Sequence, residues 1–370
     1  MSEMQRVAVV MAGGSGERFW PLSRRTRPKQ LLKLTSPDDT MLAEAVARMT
    51  PLVPIEHIYV ITGEHLVEPI RASGLPLPAA NILAEPAKRN TAGALAYTAA
   101  ALLARYGGDG SNISLAVTTA DHDIREPDLF RMTVDAAMSS AERDDVLVTL
   151  GIVPTRAETG YGYIQIDDET TSRIFNTVSV TPVRAFHEKP SRERAEDFIA
   201  QGNYFWNCGM FFWRISTFLG ELDHARPALA QAVRDMTSSM RANDHAMVRN
   251  IFGTLEDISI DYALMEHARR VSMARAEFPW DDVGAWTALD RSYSKDEHGN
   301  VVVGDPVVAD SRDCIVYNDA GADAMAVGVV GVKDLVVVVT SDAVLVIPKD
   351  RAQDVRHAVQ ELKKRNGKQL

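Results

Sequence analysis

Residues 7–30 read VAVVMAGGSGERFWPLSRRTRPKQ, and this stretch decides the fold. The apolar run Val7–Met11 ends at glycines, the pattern of a buried strand. Ala12, Gly13, Gly14, Ser15 and Gly16 follow, small residues that let backbone approach a ligand and adopt positive φ. Successive N–H groups in such a loop form a concave anion site. Arg18, Arg24, Arg25, Arg27 and Lys29 come next. A strand, a glycine loop and then cations suit a polyphosphate. No Gly-Lys-Ser/Thr follows, which excludes a Walker A loop, and Phe19 replaces the third glycine of the dinucleotide fingerprint. A glycine turn beside a solvated basic loop is the plainer alternative. Trp20, Pro21 and Leu22 weigh against it, because an exposed charge run needs no such anchor.

The rest of the first half alternates strands and helices, as parallel α/β domains do. Strands are predicted at Ile58–Thr62, Ile113–Thr118 and Val146–Ile152. Helices are predicted from Asp39 or Thr40 to Met49, from Asn90-Thr91 to Tyr106, and from Pro127 to Ala141. After Tyr161 the pattern changes, with strands at Tyr163–Ile166, Val183–Phe186 and Met210–Trp213. Helices are predicted at Arg192–Ala200, Ile215–Leu222, Ala228–Met240, His245–Gly253 and Ile260–Ala268. Beyond residue 296 short valine-rich strands and Gly/Asp turns run to Ile347, followed by a helix at Gln353–Lys364. The division is a domain over 1–295, with halves of about 1–155 and 156–295, and a short-strand β domain over 296–370. The periodicity of that β domain alone equally allows a small sandwich.

Composition narrows the class. Hydrophobic and charged contents of 46% and 24% are ordinary for a globular chain. A net charge of −10 argues against non-specific nucleic-acid binding, so phosphate chemistry rests on a local basic cluster. Cys208 and Cys314 form neither a disulfide framework nor a metal-ligand spacing, which fits a reducing cytoplasm. The N-terminus lacks a signal-peptide pattern. Val327–Ile347 is broken by Lys333, Asp334 and Asp342 and reads as strands, so no membrane span is expected.

Several short constellations carry chemistry. Glu85-Pro-Ala-Lys-Arg89-Asn90-Thr91 precedes a helix, where free N–H groups and partial positive charge gather. Simple capping by Asn90 or Thr91 is the plainer reading. Asp121-His122-Asp123 ends a strand, at the edge where open α/β sheets bind ligands. Two carboxylates there suit a hard divalent cation, while an isolated loop cap is the commoner case. Gly160 and Gly162, flanked by Tyr161 and Tyr163, can admit a sugar ring, or simply turn the chain into a strand. Glu188-Lys189-Pro190 sets a carboxylate beside an ammonium, a pair that is usually just surface. Trp206-Asn207-Cys208-Gly209 offers an amide with both donor and acceptor. Cys208 has no His partner placed by its motif and is a poor nucleophile. Ser259-Ile-Asp261-Tyr starts a helix with Ser259 as its cap, and Asp281-Asp282-Val-Gly lies between two tryptophans.

Residues 12–30 resemble the G-G-x-G-x-R-x-x-P-L-[ST]-x-x-x-P-K signature of the sugar-nucleotide pyrophosphorylases. Trp20, Ser23-Arg24 and Pro28-Lys29-Gln30 resemble in particular the bacterial mannose-1-phosphate guanylyltransferases. Motifs at 85–91, 119–122, 158–164, 188–190, 206–211, 259–262 and 280–286 resemble that family in the same order, spanning roughly 7–290. Departures are Glu17 for Thr, Phe19 for Leu, Thr119 for Pro and Cys208 for Ser.

The resemblance implies a Rossmann-like, GT-A-like nucleotidyltransferase domain with a mixed sheet, α/β in class, and a small left-handed β-helix-like domain. It implies transfer of GMP from GTP to α-D-mannose 1-phosphate with Mg²⁺ or another divalent cation. By the same resemblance Arg18 and Lys29 are catalytic and Asp121 and Asp282 hold the metal. Ala12, Gly13, Gly14, Ser15, Gly16, Glu85, Arg89 and Asn90 bind nucleotide, and Gly162, Glu188, Lys189 and Asn207 bind sugar phosphate. Asp261 takes only a secondary role, Asp281 is the weaker neighbour of Asp282, and Arg27 is surface. Arg24 and Arg25 are open between phosphate and structural contacts. GTP and mannose 1-phosphate are the expected partners, with a homodimer left open. Longer relatives carry a phosphomannose isomerase domain. No His-rich metal pattern follows the β region here, and no isomerase activity is expected. Alternatives are UTP or dTTP with a glucose-type phosphate, and a non-catalytic regulatory paralogue.

Overall fold

The computed structural model describes residues 4–167, 169–321 and 323–370. Val7 to Val10 are fully buried, and they form the centre of strand β1, Gln5–Met11. The chain divides into two compact units, each assembled from separated segments.

The first unit comprises the chain up to Ala12, Ala45–Thr119 and Ile124–Trp280. It holds a ten-stranded mixed sheet. Its parallel half consists of β1, β2 (Ile58–Gly63), β3 (Ile82–Glu85) and β4 (Ile113–Thr119), in the order β3-β2-β1-β4. Two-residue β5 (Asp123–Ile124) follows β4 in the chain, and the sheet continues through β6 (Leu147–Ile152) and β7 (Gly162–Ile166). The outer strands are β8 (Arg173–Phe175), β9 (Val178–Glu188), β10 (Tyr204–Arg214) and β11 (Val271–Ala276). β10 runs antiparallel between β4 and β6, and its register with β6 shifts between Asn207 and Phe211. Helices α2 (Val67–Ala72), α3 (Asn90–Tyr106) and α4 (Pro127–Asp144) belong to the first half. Helices α5 (Arg192–Gln201), α6 (Ile215–Ala225), α7 (Pro227–Arg241) and α8 (His245–Gly253) belong to the second. Val7, Val9, Tyr59, Leu95, Trp213 and Phe218 pack in one apolar cluster of this unit.

Three expectations change here. β9 and β10 are longer than their apolar centres suggest, because pairing on both edges carries the polar ends. Val271–Ala276 is a strand between β6 and β9, although its residues VSMARA carry little β-branching. The predicted helix over 260–268 is instead a π-helical turn at Asp261–Met265, closed by the Glu266 N–H donating to the Asp261 carbonyl at 3.0 Å.

The second unit comprises Gly13–Glu44, Ala120–Asp123 and Asp281–Leu370. Helix α1 (Met41–Met49) starts in it, capped by Thr40 Oγ1 on the Ala43 N–H at 3.2 Å. Two-residue β12 (Trp280–Asp281) leads into its last segment, where α9 is Leu289–Ser292. Strands β13 (Val301–Val303), β15 (Ile315–Asn318) and β17 (Leu335–Val339) stack in parallel, and β18 (Val344–Pro348) closes antiparallel. β14 (Val307–Ala309) and β16 (Gly328–Val330) form a second parallel pair. Consecutive short parallel rungs make this a β-helix-like domain, and they dispose of the sandwich alternative, whose strands would be antiparallel. Helix α10 (Val355–Lys364) follows. Phe19, Trp20 and Leu22 of the glycine-loop segment share one core with Trp286, Val355 and Val359.

Candidate functional site

The phosphate-type loop is built by a steric constraint. Gly16 has φ +61°, and a Cβ there would stand 2.5 Å from Lys29 Cβ and 2.6 Å from Lys29 N. Only glycine lets the loop lie against the short helical turn Lys29–Leu31. The turn Glu17–Phe19 starts directly after Gly16, and Phe19 is buried against Trp286 with ring centroids 5.2 Å apart. Loop and lysine therefore hold one geometry.

A cavity of about 410 Å³ opens beside this loop. Ser15, Gly16, Arg18, Lys29, Asp121 and Asp282 line it, so both expected catalytic cations and both expected metal ligands meet in one place. Lys29 is buried, and its Nζ donates to Asp121 Oδ2 at 3.0 Å and to the Asp282 carbonyl at 2.7 Å. Burial would raise the Asp121 carboxyl, but the charges of Lys29 and His122, with hydrogen bonds from Lys29 and backbone, outweigh it. The group is held below the usual carboxylate range and stays ionised at neutral pH. Arg18 donates to the Gly284 carbonyl at 3.1 Å. Directly after Asp282, Val283 is buried at φ +47°, a conformation a β-branched residue rarely adopts. Such strain, about 1–3 kcal/mol, is characteristic of sites that need one fixed geometry.

The neighbouring acids are structural. Asp281 accepts from Arg291 Nε at 2.5 Å and Nη2 at 3.0 Å, and from the Val283 N–H at 2.8 Å. Asp123 accepts from Ser292 Oγ at 2.7 Å. Glu17, whose place the sequence does not explain, pairs with Lys363 of α10 at 2.6 Å. Arg24 pairs with Asp342 at 2.7 Å, and Arg27 lies 3.7 Å from Asp319. Among the described residues, no group of three or more His, Cys, Asp or Glu is placed to hold a metal alone. Asp121 and Asp282 in one cavity do fit Mg²⁺, which takes one or two carboxylates and completes its shell with water and substrate phosphate oxygens.

A second constellation lies within the first unit. Gly162 faces Glu188 across β7 and β9, and a Cβ at Gly162 would stand 2.5 Å from Glu188 Oε2. Lys189, at φ +47°, turns its Nζ to Glu188 Oε1 at 2.7 Å, and that hydrogen bond raises the lysine above its ordinary range. Asn207 donates to Asp261 Oδ1 at 2.8 Å, while its own Oδ1 accepts from Thr149 and from the Gly209 N–H, both at 3.1 Å. Burial, then the charge of Glu188, pushes Asp261 up to about 6. Asp261 thus belongs to the cluster more closely than its helix-start motif indicates. Tyr161 stands edge-on to Trp206 and Trp280, with centroids 5.2 and 5.3 Å away, and Arg156 covers Trp206 at 5.0 Å. Cys208 is buried and pushed up to about 12, which removes it as a nucleophile.

The Glu85–Asn90 segment is mixed. Ala12 is pinned before it is needed, its N–H donating to the Ile61 carbonyl and its carbonyl accepting from Thr62 Oγ1, both at 2.9 Å. Glu85 ends β3 half-buried, its side chain makes no hydrogen bond or ion pair among the described residues, and burial pushes it up to about 7. The expected side-chain cap does not form: α3 begins at Asn90 with Arg89 at its N-cap position and no side-chain cap bond. Asn90 Oδ1 accepts only from the adjacent Thr91 N–H at 2.9 Å, while Thr91 Oγ1 accepts from the Ile260 N–H at 2.8 Å. Arg89 donates to the carbonyls of Gly253 at 2.5 Å and Lys88 at 3.0 Å, contacts that the sequence motif does not foretell. Nor does any motif point to Arg356 of α10, which also lines the cavity beside Arg18.

The nucleotidyl transferase family model matches residues 7–299. The chain belongs to this family. Residues 304–362 match the MannoseP isomerase/GMP-like beta-helix domain, in agreement with the parallel rungs of the second unit. A mannose-1-phosphate guanylyltransferase of Klebsiella pneumoniae is 39% identical over 363 residues, covering 96% of this chain and 73% of that protein. An Escherichia coli mannose-1-phosphate guanylyltransferase is 39% identical with the same coverage. A crystal structure from Thermus thermophilus, described as a mannose-1-phosphate geranyltransferase, superposes with TM-score 0.84 at 36% identity. That match covers 97% of this chain and all of the other. No helix among the described residues is long and apolar enough to cross a membrane.

Proposed function

We infer that this chain transfers GMP from GTP to α-D-mannose 1-phosphate, releasing pyrophosphate and forming GDP-mannose. The observation that carries the reading is the convergence of Arg18, Lys29, Asp121 and Asp282 on one cavity beside the glycine loop. The relatives' activity and the order of the sequence motifs support the choice of guanosine and mannose.

In the reaction an oxygen of the mannose phosphate attacks the α-phosphorus of GTP in line. The new P–O bond forms as the bond to the β-phosphate oxygen breaks, and pyrophosphate leaves with that electron pair. The nucleophile is already anionic, so no strong general base is required. The barrier is repulsion between anions and charge growth on the leaving group, which makes positioning and electrostatic stabilisation the main tools. Arg18 meets the leaving phosphates. Lys29 holds nucleotide phosphate, and its bonds to Asp121 and the Asp282 carbonyl preorganise it for that task. Asp121 and Asp282 would hold Mg²⁺, which supplies charge neutralisation at the phosphates when bound. Ser15 and the backbone from Ala12 to Gly16 take phosphate oxygens. Glu85 offers a half-buried acceptor to the guanine N–H edge, with Arg89 and Asn90 beside it in sequence. In the first unit, Lys189 takes the mannose phosphate, and Gly162, Glu188 and Asn207 take the sugar. The chain acts in the cytoplasm on this reading.

The test is pyrophosphate release from GTP and mannose 1-phosphate, with and without Mg²⁺, beside UTP, dTTP and glucose 1-phosphate. Release that requires Mg²⁺ and favours GTP with mannose 1-phosphate is expected. Silence with every pair would sink the reading, and preference for UTP or dTTP would redirect it.

A further inference from the structure

Helix α10 lies far along the chain from the signature loop, yet it returns to it. Val355 and Val359 are buried in the core that holds Phe19, Trp20 and Leu22. Lys363 pairs with Glu17 at 2.6 Å, and the Trp20 indole donates to the Gln369 carbonyl at 2.9 Å. The helix is thereby clamped to the loop at several points, and it brings Arg356 to the wall of the cavity shared by Arg18, Lys29, Asp121 and Asp282.

Arg356 has no evident structural task. It is exposed, and among the described residues its side chain pairs with no carboxylate and makes one hydrogen bond, a long one of 3.5 Å to the Gln353 carbonyl. The charge balance of the cavity gives it a use. Beside His122, the arginine, lysine and carboxylate side chains of the lining are Arg18, Lys29 and Arg356 against Glu17, Asp121 and Asp282, so these balance only with Arg356 present. A cavity that receives several phosphates needs that third cation.

We propose that Arg356 is a phosphate-binding residue that holds the outer phosphates of the nucleotide and the departing pyrophosphate. The β-helix-like part of the chain thus supplies a side chain to the reacting site. This rests on the nucleotidyl-transfer reading above, and the test separates the two. The probe is inorganic pyrophosphate with Mg²⁺, titrated calorimetrically into the full chain and into Arg356→Gln, Arg356→Lys and Lys364→Gln. Lys364 is on the same helix, pairs with Glu361 and does not line the cavity, so it controls for net charge. Arg356→Gln is expected to weaken pyrophosphate binding about 10–100-fold, the range of one charge-assisted hydrogen bond. Arg356→Lys should recover part of it, since lysine keeps the charge without the fork. Lys364→Gln should bind as wild type, and all variants should unfold at the wild-type temperature. Wild-type pyrophosphate affinity in Arg356→Gln, equal weakening by Lys364→Gln, or a wild type that does not bind pyrophosphate would each overturn the proposal. Pyrophosphate binding that depends on Arg356, in a protein that transfers no nucleotidyl group, would instead overturn the reaction and leave the anion site standing.

Discussion

Gly16→Ala tests whether the loop geometry is as constrained as it looks. The residue sits at φ +61°, and the left-handed region costs an L-residue about 1–2 kcal/mol. The new Cβ would also stand 2.5 Å from Lys29 Cβ and 2.6 Å from Lys29 N, one of them backbone, so a flexible side-chain end cannot absorb the overlap. Overpacking of this kind costs about 1–3 kcal/mol. Together the loss is about 2–5 kcal/mol if nothing relaxes. Relaxation would move the Lys29 turn and draw its Nζ off Asp121, so whatever stability is regained is lost again as turnover. Gly14→Ala is the internal control. A Cβ there meets nothing within 4 Å and no positive φ is required, so stability should change by less than about 0.5 kcal/mol. Its methyl would project where the backbone is read as approaching phosphate, and turnover should fall. Urea unfolding midpoints and pyrophosphate release on both variants make the comparison. A Gly16→Ala protein with wild-type midpoint and wild-type turnover would refute the reasoning.

Lys29→Ala should lower turnover by about 10²–10³, the cost of one preorganised charge donor, and near-wild-type pyrophosphate release would remove Lys29 from the site. Gly162→Ala should raise KM for mannose 1-phosphate well above its effect on GTP, because the added Cβ displaces Glu188; equal effects on both substrates would speak against a sugar role. Glu85 keeps its proton in the folded chain up to about pH 7, whereas the unfolded chain loses it near 4.5. Stability from this group is therefore full below about pH 4.5 and declines as pH rises towards 7. Glu85→Gln should flatten that decline by on the order of 1–3 kcal/mol between pH 5 and pH 8 in urea unfolding, and parallel profiles for the two proteins would contradict it.

The sequence makes the parallel half of the sheet legible because its strands are buried on both faces and read as unbroken apolar runs. β3 escapes notice because it has only four half-buried residues before Pro86. β11 escapes because its burial comes from β6 and β9, neighbours that no local window contains. The site residues of the glycine loop and the two aspartates are legible because each sits in a short motif whose chemistry is local. What is not legible is who holds them. Glu17 reads as an unexplained carboxylate until Lys363 is seen beside it, a partner 346 positions away. Asp281 and Asp282 are separated in sequence only by the family motif, and the grip of Arg291 on Asp281 is the physical reason for it.

The second unit draws its parts from three widely separated segments, and this orders events during synthesis. When the glycine loop leaves the ribosome, it lacks the carbonyls of Asp282 and Gly284 that receive Lys29 and Arg18. Trp20 waits longer still, since its indole acceptor is Gln369. A nascent chain can therefore complete much of its sheet while its phosphate cavity is unformed, and the cavity closes only once α10 has emerged. Truncated products of interrupted translation should carry the nucleotide loop without the means to use it.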